Sequence, residues 1–468
     1  MTRVWFRIHS FTGVITGLLL FVICWSGTFA VLSNEFDWLV TPEARVESGG
    51  GPVQSWGTIA EAVQAAYPSA VVGWLSAPLH PASAAQVWVD LPQQSAVWVY
   101  VDPATAEIQG ARSYLNLQRF FRSFHYNLFL PQVGLYLVSL FGVTMLVSLV
   151  AALVFYKRWW RRFFKLPRGR GRAFWSETHK LAGLWSVWFL LVIGVTGVWY
   201  LFEAGRADFG DGKVSFAGSG DFAVHSIPAA TSHPALPLLP LDALVARAAE
   251  LRPDLAIRHI FLTEDTAIFQ GQAGYLLVRD RANQLHLDRR TGALVYDQTP
   301  HDYSLYWRWS DTADPLHFGD FGGLWSKGIW FVFGLLLSGL ILTGTWLHAH
   351  RLAREAGNRA RHRWPGTAAA LAVSLLVLAA SVPFGLAEAQ GYGPLVGDSR
   401  QLPELAPGVA AVIAGWIVLT LAILAAWVFL LWRPEVLQTA QGRGTRSAST
   451  QSSSKAMTAG AQPPRGRA

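Results

Sequence analysis

Six stretches of this chain contain no Asp, Glu, Lys or Arg: Phe11–Leu32, Val133–Tyr156, Leu181–Phe202, Gly328–Leu347, Thr367–Ala387 and Gly408–Trp432. An α-helix needs about 20 apolar residues to cross ~30 Å of hydrocarbon, where no water can satisfy an unpaired backbone. The pattern therefore predicts six transmembrane helices and a membrane α-helical fold. With 52% hydrophobic residues, 15% charged residues and 22 Trp, the chain is also too apolar for ordinary soluble domains. The first stretch is longer than a secretory signal and lacks a small-residue cleavage site, so it is read as an anchor.

The loops predict the orientation. Lys157–Arg172 carries eight basic residues and no acid, and Arg351–Arg363 has five Arg against Glu355. Positive loops next to spans stay in the cytoplasm, which puts both termini inside a bacterial inner membrane. The two long connections, 33–132 and 203–327, hold 8 acids against 4 bases and 16 against 11, and belong outside, in the periplasm. The expected order is helix 1 within 1–32, connection 33–132, helix 2 at 133–156, a basic loop at 157–180 and helix 3 at 181–202. Connection 203–327, helix 4 at 328–350, helices 5 and 6 at 367–387 and 408–432, and a disordered cytoplasmic tail at 433–468 complete it. The formal charge of +8 resides in these loops, which excludes a nucleic-acid-binding surface. The single cysteine, Cys24, lies in an apolar run and excludes internal disulfides and thiolate metal sites.

The chain is internally duplicated. His9, Gly13 and Gly27 match His179, Gly183 and Gly197 at a constant offset of 170, and His125 with Gly142 matches His317 with Gly334 at 192. Between them, Val101-Asp102-Pro103-Ala104-Thr105 matches Leu287-Asp288-Arg289-Arg290-Thr291 at 186. Each unit reads span, external domain, span. Helical periodicity over Ile59–Ala66 and Leu241–Leu251, with hairpin patterns over Gln86–Val101 and Tyr275–Leu287, predicts two small α+β domains.

The duplication puts His9 and His179 at the cytoplasmic starts of spans one and three, and His125 and His317 at the external starts of spans two and four. One boundary histidine is usually an interfacial residue, whereas four in a symmetric array at membrane depth point to function. Gly27 and Gly197 lie 18 residues beyond His9 and His179, which is five turns along the same face of a straight helix. Gly142 and Gly334 lie 17 beyond theirs. Each helix then offers a ligand at one end and a gap at the other, as two flat macrocycles stacked in a four-helix bundle would need. Haem suits imidazole ligands and requires no cysteine; helix packing on small residues is the competing account of the glycines. His125 pairs with His317. His179 pairs with His9 by symmetry or with His348, with His350 beside it. Arg119, Arg122 and Arg308, just before the external histidines, are candidates for haem carboxylates.

The opening Arg7-Ile8-His9-Ser10-Phe11-Thr12-Gly13 with Ser26-Gly27, the histidines His125 and His317 and the paired Asp-x-x-Thr turns resemble the PepSY-associated transmembrane family. The resemblance covers roughly residues 1–352. It implies a duplicated four-helix haem-binding bundle with two periplasmic PepSY-like domains, to which the hydropathy pattern adds two C-terminal transmembrane helices. It also implies two haems b and reduction of a ferric siderophore or other ferric chelate, with electrons from a cytoplasmic reductase or quinol. Spans five and six lie beyond the resemblance. Two other readings are a non-catalytic PepSY module that binds peptides or restrains a protease, and a transporter.

Overall fold

The computed structural model describes residues 2–47, 52–168, 170–210, 236–355 and 367–432. The expected tail at 433–468 and most of the loop Arg351–Arg363 lie outside them. Among the described residues five helices are long and apolar enough to cross a membrane: α6 (Pro131–Phe155), α8 (Val187–Gly210), α11 (Gly323–Glu355), α12 (Thr367–Gly391) and α13 (Pro407–Trp432). A sixth candidate is the pair α1 (Thr2–Ile15) and α2 (Gly17–Val31), which is bent by 69° at Thr16. The chain is thus a multi-pass membrane protein.

The break at Thr16 corrects the straight first span. Thr12 and Thr16 turn their hydroxyls back onto helix carbonyls, Thr16 to Thr12 O at 2.6 Å, and such back-bonding bends helices. Ser186, at the matching position of the repeat, separates α7 (Gly171–Trp185) from α8. His9 and His179 therefore ride on α1 and α7, across a break from Gly27 and Gly197, and the five-turn argument from one straight helix does not hold. His125 and His317 sit likewise on separate short helices, α5 (Leu117–Asn127) and α10 (Leu305–Phe318). After α5, Leu128 and Phe129 both take positive φ, and Pro131 starts α6. After α10 the chain turns at Gly319 (φ 69°), where a side chain would strike Trp330.

Strands of the two long connections join in one continuous sheet. Strands β1 (Val71–Ser76), β2 (Ala85–Leu91), β3 (Gln94–Val101) and β4 (Ile108–Ser113) come from the first. Strands β5 (Ala256–Leu262), β6 (Thr266–Gln272), β7 (Gln284–Asp288) and β8 (Leu294–Gln298) come from the second. The order is β4-β3-β2-β1-β5-β6-β7-β8, antiparallel throughout, joined where Leu75 pairs with Ile260. Helices α4 (Trp56–Ala66) and α9 (Leu241–Leu251) share a core with it: Val63, Val87, Val99, Leu244, Ile260, Phe269 and Leu285 are each at most 1% exposed. Alternation sends Trp74, beside Leu75, to the opposite face, with Trp88, Trp98 and Tyr114. Both Asp-x-x-Thr turns close on the aspartate: Asp102 Oδ1 accepts from Ala104 N (2.8 Å) and Asp288 Oδ1 from Thr291 N (2.7 Å). The first hairpin matches the expected Gln86–Val101. The second is β6–β7, so Tyr275–Leu287 is not a hairpin: Gly274 and Leu277 take positive φ and lead into a connector.

Helices α12 and α13 brace this assembly. Trp25 on α2 donates to Thr420 (3.0 Å) and Trp427 on α13 to Thr345 on α11 (2.9 Å). Between α12 and α13, Leu395 N reaches Gln93 O (2.7 Å) at the turn between β2 and β3.

A shared core predicts shared unfolding. Phe269→Ala should cost about 3 kcal/mol or more and speed hydrogen–deuterium exchange by about two orders of magnitude in β2 and β3 as well as in β6 and β7. An effect confined to β5–β8 would mean two independent domains.

Candidate functional site

His125 and His317 come from the ends of α5 and α10 and meet with ring centroids 6.0 Å apart and planes inclined by 32°. Asp37, in α3 (Ser33–Val40), fixes the start of α5 by accepting from Leu117 N (2.7 Å) and Gln118 N (2.8 Å). Burial pushes the Asp37 carboxyl up to about 7, against the pull of these two donors. His125 donates from Nδ1 to the Ile23 carbonyl (2.9 Å). His317 Nδ1 lies 2.7 Å from Thr196 Oγ1; with the hydroxyl proton directed at Val192 O (2.8 Å), the imidazole is the donor. In both rings the Nδ1 proton is given away and Nε2 keeps its lone pair.

The same arrangement recurs toward the far end of the bundle. His9 and His179 have centroids 6.5 Å apart. His9 Nδ1 lies 3.0 Å from Ser148 O and 2.8 Å from Ser148 Oγ on α6, and donates where the carbonyl is its partner. His179 Nδ1 lies 3.0 Å from Thr343 Oγ1 on α11, whose proton goes to Gly339 O (2.7 Å). Among the described residues none of the four Nε2 atoms has a hydrogen-bond partner. The ring beside His179 is that of His9, while His348 is buried on α11 five residues beyond Thr343.

A cavity of about 300 Å³ opens beside the His125/His317 pair. All four glycines line it, Gly27, Gly142, Gly197 and Gly334. Gly142 and Gly334 were expected to leave a gap at the far end; the turns that detach α5 and α10 from α6 and α11 bring them level with His125 and His317 instead. Gly27 makes room for the imidazole, since a Cβ there would lie 2.6 Å from His125 Cε1. Gly142 and Gly197 bring α6 and α8 into backbone contact, as small-residue packing alone would also require: a Cβ on Gly142 would lie 3.0 Å from Val198 N.

Of the arginines singled out, Arg122 lines the cavity, while Arg119 and Arg308 do not. Arg119 is held by Glu388 of α12 at 2.7 Å and serves as a strut. Two lining cations escaped sequence reasoning. Lys327 pairs with Glu35 at 2.7 Å, and Arg279, from the loop before β7, pairs with Asp314 at 3.0 Å. Burial raises the Asp314 carboxyl, but Arg279, Arg281 and the Tyr200 hydroxyl outweigh it and hold it below the usual carboxylate range. Ser148, Thr196 and Thr343 were also missed, although polar residues in apolar spans were the available signal. Arg279 gave none, because only the tertiary fold brings it to the bundle.

The donor set decides what these pairs can hold. Two imidazoles on opposite sides of one metal, with bonds of about 2 Å plus the ring radius, have centroids about 6 Å apart. Two ligands are too few for a bare ion, and among the described residues no group of three or more His, Cys, Asp or Glu gathers around either pair. Were a metal held between such a pair, its remaining donors would have to come with it, as in a flat macrocycle, and the cavity volume and the cleared glycine beside His125 would suit one. The Nδ1 bonds are the outer support of such ligands. Thr196→Val and Thr343→Val should each weaken the hold on a metal macrocycle by about 10–100-fold, read as faster haem loss to a scavenger protein, Thr196→Val at the His317 pair and Thr343→Val at the His179 pair. Unchanged loss rates would remove these threonines from the site.

The chain is 27% identical over 259 residues to an uncharacterised protein of Pseudomonas aeruginosa, an alignment covering 51% of this chain and 64% of that relative. The chain thus spans less than two thirds of that relative's length. The family model described as the PepSY-associated TM region matches residues 6–351, from just before His9 to the end of α11 and so across all four imidazoles and both halves of the sheet. The chain belongs to the PepSY-associated transmembrane family.

Proposed function

We propose that this protein is a di-haem electron carrier of the bacterial inner membrane, with His125/His317 toward the periplasm and His9/His179 toward the cytoplasm. Electrons enter from a cytoplasmic reductase or from quinol and leave to a ferric chelate, such as a ferric siderophore. The observation that carries the reading is the repeated pair: two imidazoles, each with its Nδ1 hydrogen-bonded to an oxygen on a neighbouring helix, at 6.0 and 6.5 Å. Haem bound at each pair would supply a one-electron Fe(III)/Fe(II) couple at either end of the bundle.

The chain's own residues account for the rest. The basic loop Lys157–Arg172 supports the cytoplasmic placement of the His9/His179 end. Phe141, Met145, Phe189 and Leu337 give the outer cavity an apolar wall that excludes water. A haem held by both imidazoles of a pair would have no position left for substrate, so on this reading the chelate meets the protein at the mouth of the site. Siderophores bind ferric iron far more tightly than ferrous, and one electron is enough to loosen the complex. No acid, base or nucleophile is called for.

Protein purified after expression with added haem should carry two haems b per chain by pyridine haemochrome assay. His125→Ala or His317→Ala should remove one, and His9→Ala or His179→Ala the other, while His348→Ala keeps both. Absence of haem from the wild-type protein, or retention of two in all four pair variants, would overturn the proposal.

A further inference from the structure

The two repeats differ in charge at one telling position. One helical turn before the outer imidazole, repeat one has Arg122 and repeat two has Asp314. Asp314 is neutralised within the fold by Arg279 at 3.0 Å and Arg281 at 3.5 Å. Of the three cations lining the cavity, Lys327 is taken by Glu35 (2.7 Å), and Arg279 by Asp314 and Asp320 (3.8 Å). Arg122 is exposed and has no ion-pair partner among the described residues. It belongs to a stripe on α5, Gln118, Arg122 and Tyr126, spaced four residues apart, so that all three lie on one face, and all three line the mouth. Tyr126 is 52% exposed, and Asn34 stands exposed on the same lining.

An unmatched guanidinium flanked by an amide and a phenol recognises a carboxylate or similar oxyanion. That anion has two sources: the carboxylates of a macrocycle held between the imidazoles, or the acceptor arriving from outside. We propose that the acceptor is an anionic ferric chelate, docked through its oxyanion groups on the Gln118–Arg122–Tyr126 face of α5. The inference rests on the electron-transfer reading for the identity of the acceptor, and adds that the site selects acceptors by charge. Since Arg122 is water-exposed, this selection weakens as salt rises.

Gallium(III) chelates separate docking from electron transfer, because gallium does not accept an electron under these conditions. Binding of anionic gallium citrate and of cationic gallium desferrioxamine B to the full-length haem-loaded protein is measured by thermophoresis. Wild type should prefer the anionic complex; Arg122→Gln should lower the ratio of the two affinities about tenfold, and Arg122→Lys should recover most of it. The ratio of reduction rates for the matching iron(III) chelates should move in parallel. Equal binding of both complexes to wild type, or an unchanged ratio in Arg122→Gln, overturns the inference. Loss of haem from Arg122→Gln with the gallium preference intact overturns it too, by assigning Arg122 to the macrocycle. Arg122-dependent gallium binding without reduction of any ferric chelate would sink the electron-transfer reading and leave the anion site standing.

Discussion

Each of the four imidazoles has its Nδ1 hydrogen-bonded to an oxygen on a different helix: Ile23 on α2, Ser148 on α6, Thr196 on α8 and Thr343 on α11. In an apolar bundle a buried imidazole N–H without an acceptor costs on the order of 1–3 kcal/mol, so these bonds fix the rotation of the helices as firmly as they fix the rings. They also decide the chemistry, because a ring that donates from Nδ1 presents an unprotonated Nε2, the form that binds a metal. The breaks at Thr16 and Ser186, and the turns after α5 and α10, serve this geometry. They uncouple the short helices that carry the histidines from the long ones that cross the membrane.

Duplication explains why the arrangement occurs twice and why it has pseudo-symmetry. Equivalent segments meet across an axis, which sets His9 against His179, His125 against His317, and β1 against β5 in a continuous eight-stranded sheet. The symmetry is then broken by what surrounds the core. Helices α12 and α13 contact the first repeat through Arg119–Glu388 and Trp25–Thr420, and the mouth of the cavity carries an unmatched cation on one side and a neutralised carboxylate on the other.

The apolar spans, the repeat and the places of the four histidines in it were legible in the sequence, because charge-free runs and constant offsets survive any detail of tertiary structure; the neighbour of His179 stayed open between His9 and His348. What was not legible depends on three-dimensional bending. A hydropathy run registers neither the 69° bend at Thr16 nor the turns that detach α5 from α6 and α10 from α11, and because of those turns the helical-wheel argument placed Gly142 and Gly334 at the wrong end. The joining of the two α+β units rests on backbone pairing at Leu75 and Ile260, which leaves no local pattern. Arg119 read as a cavity residue because its partner, Glu388, lies far along the chain in a span that no repeat predicted.

The most direct test of the central claim is electron passage through the bundle. Haem-loaded protein is reconstituted into liposomes that enclose dithionite, with an anionic ferric chelate and a ferrous-specific chromophore outside. The account predicts steady formation of the ferrous complex outside vesicles bearing wild-type protein, and its loss when His9→Ala or His317→Ala interrupts either pair. Ferrous formation equal to that of protein-free vesicles, or undiminished in both variants, would contradict it.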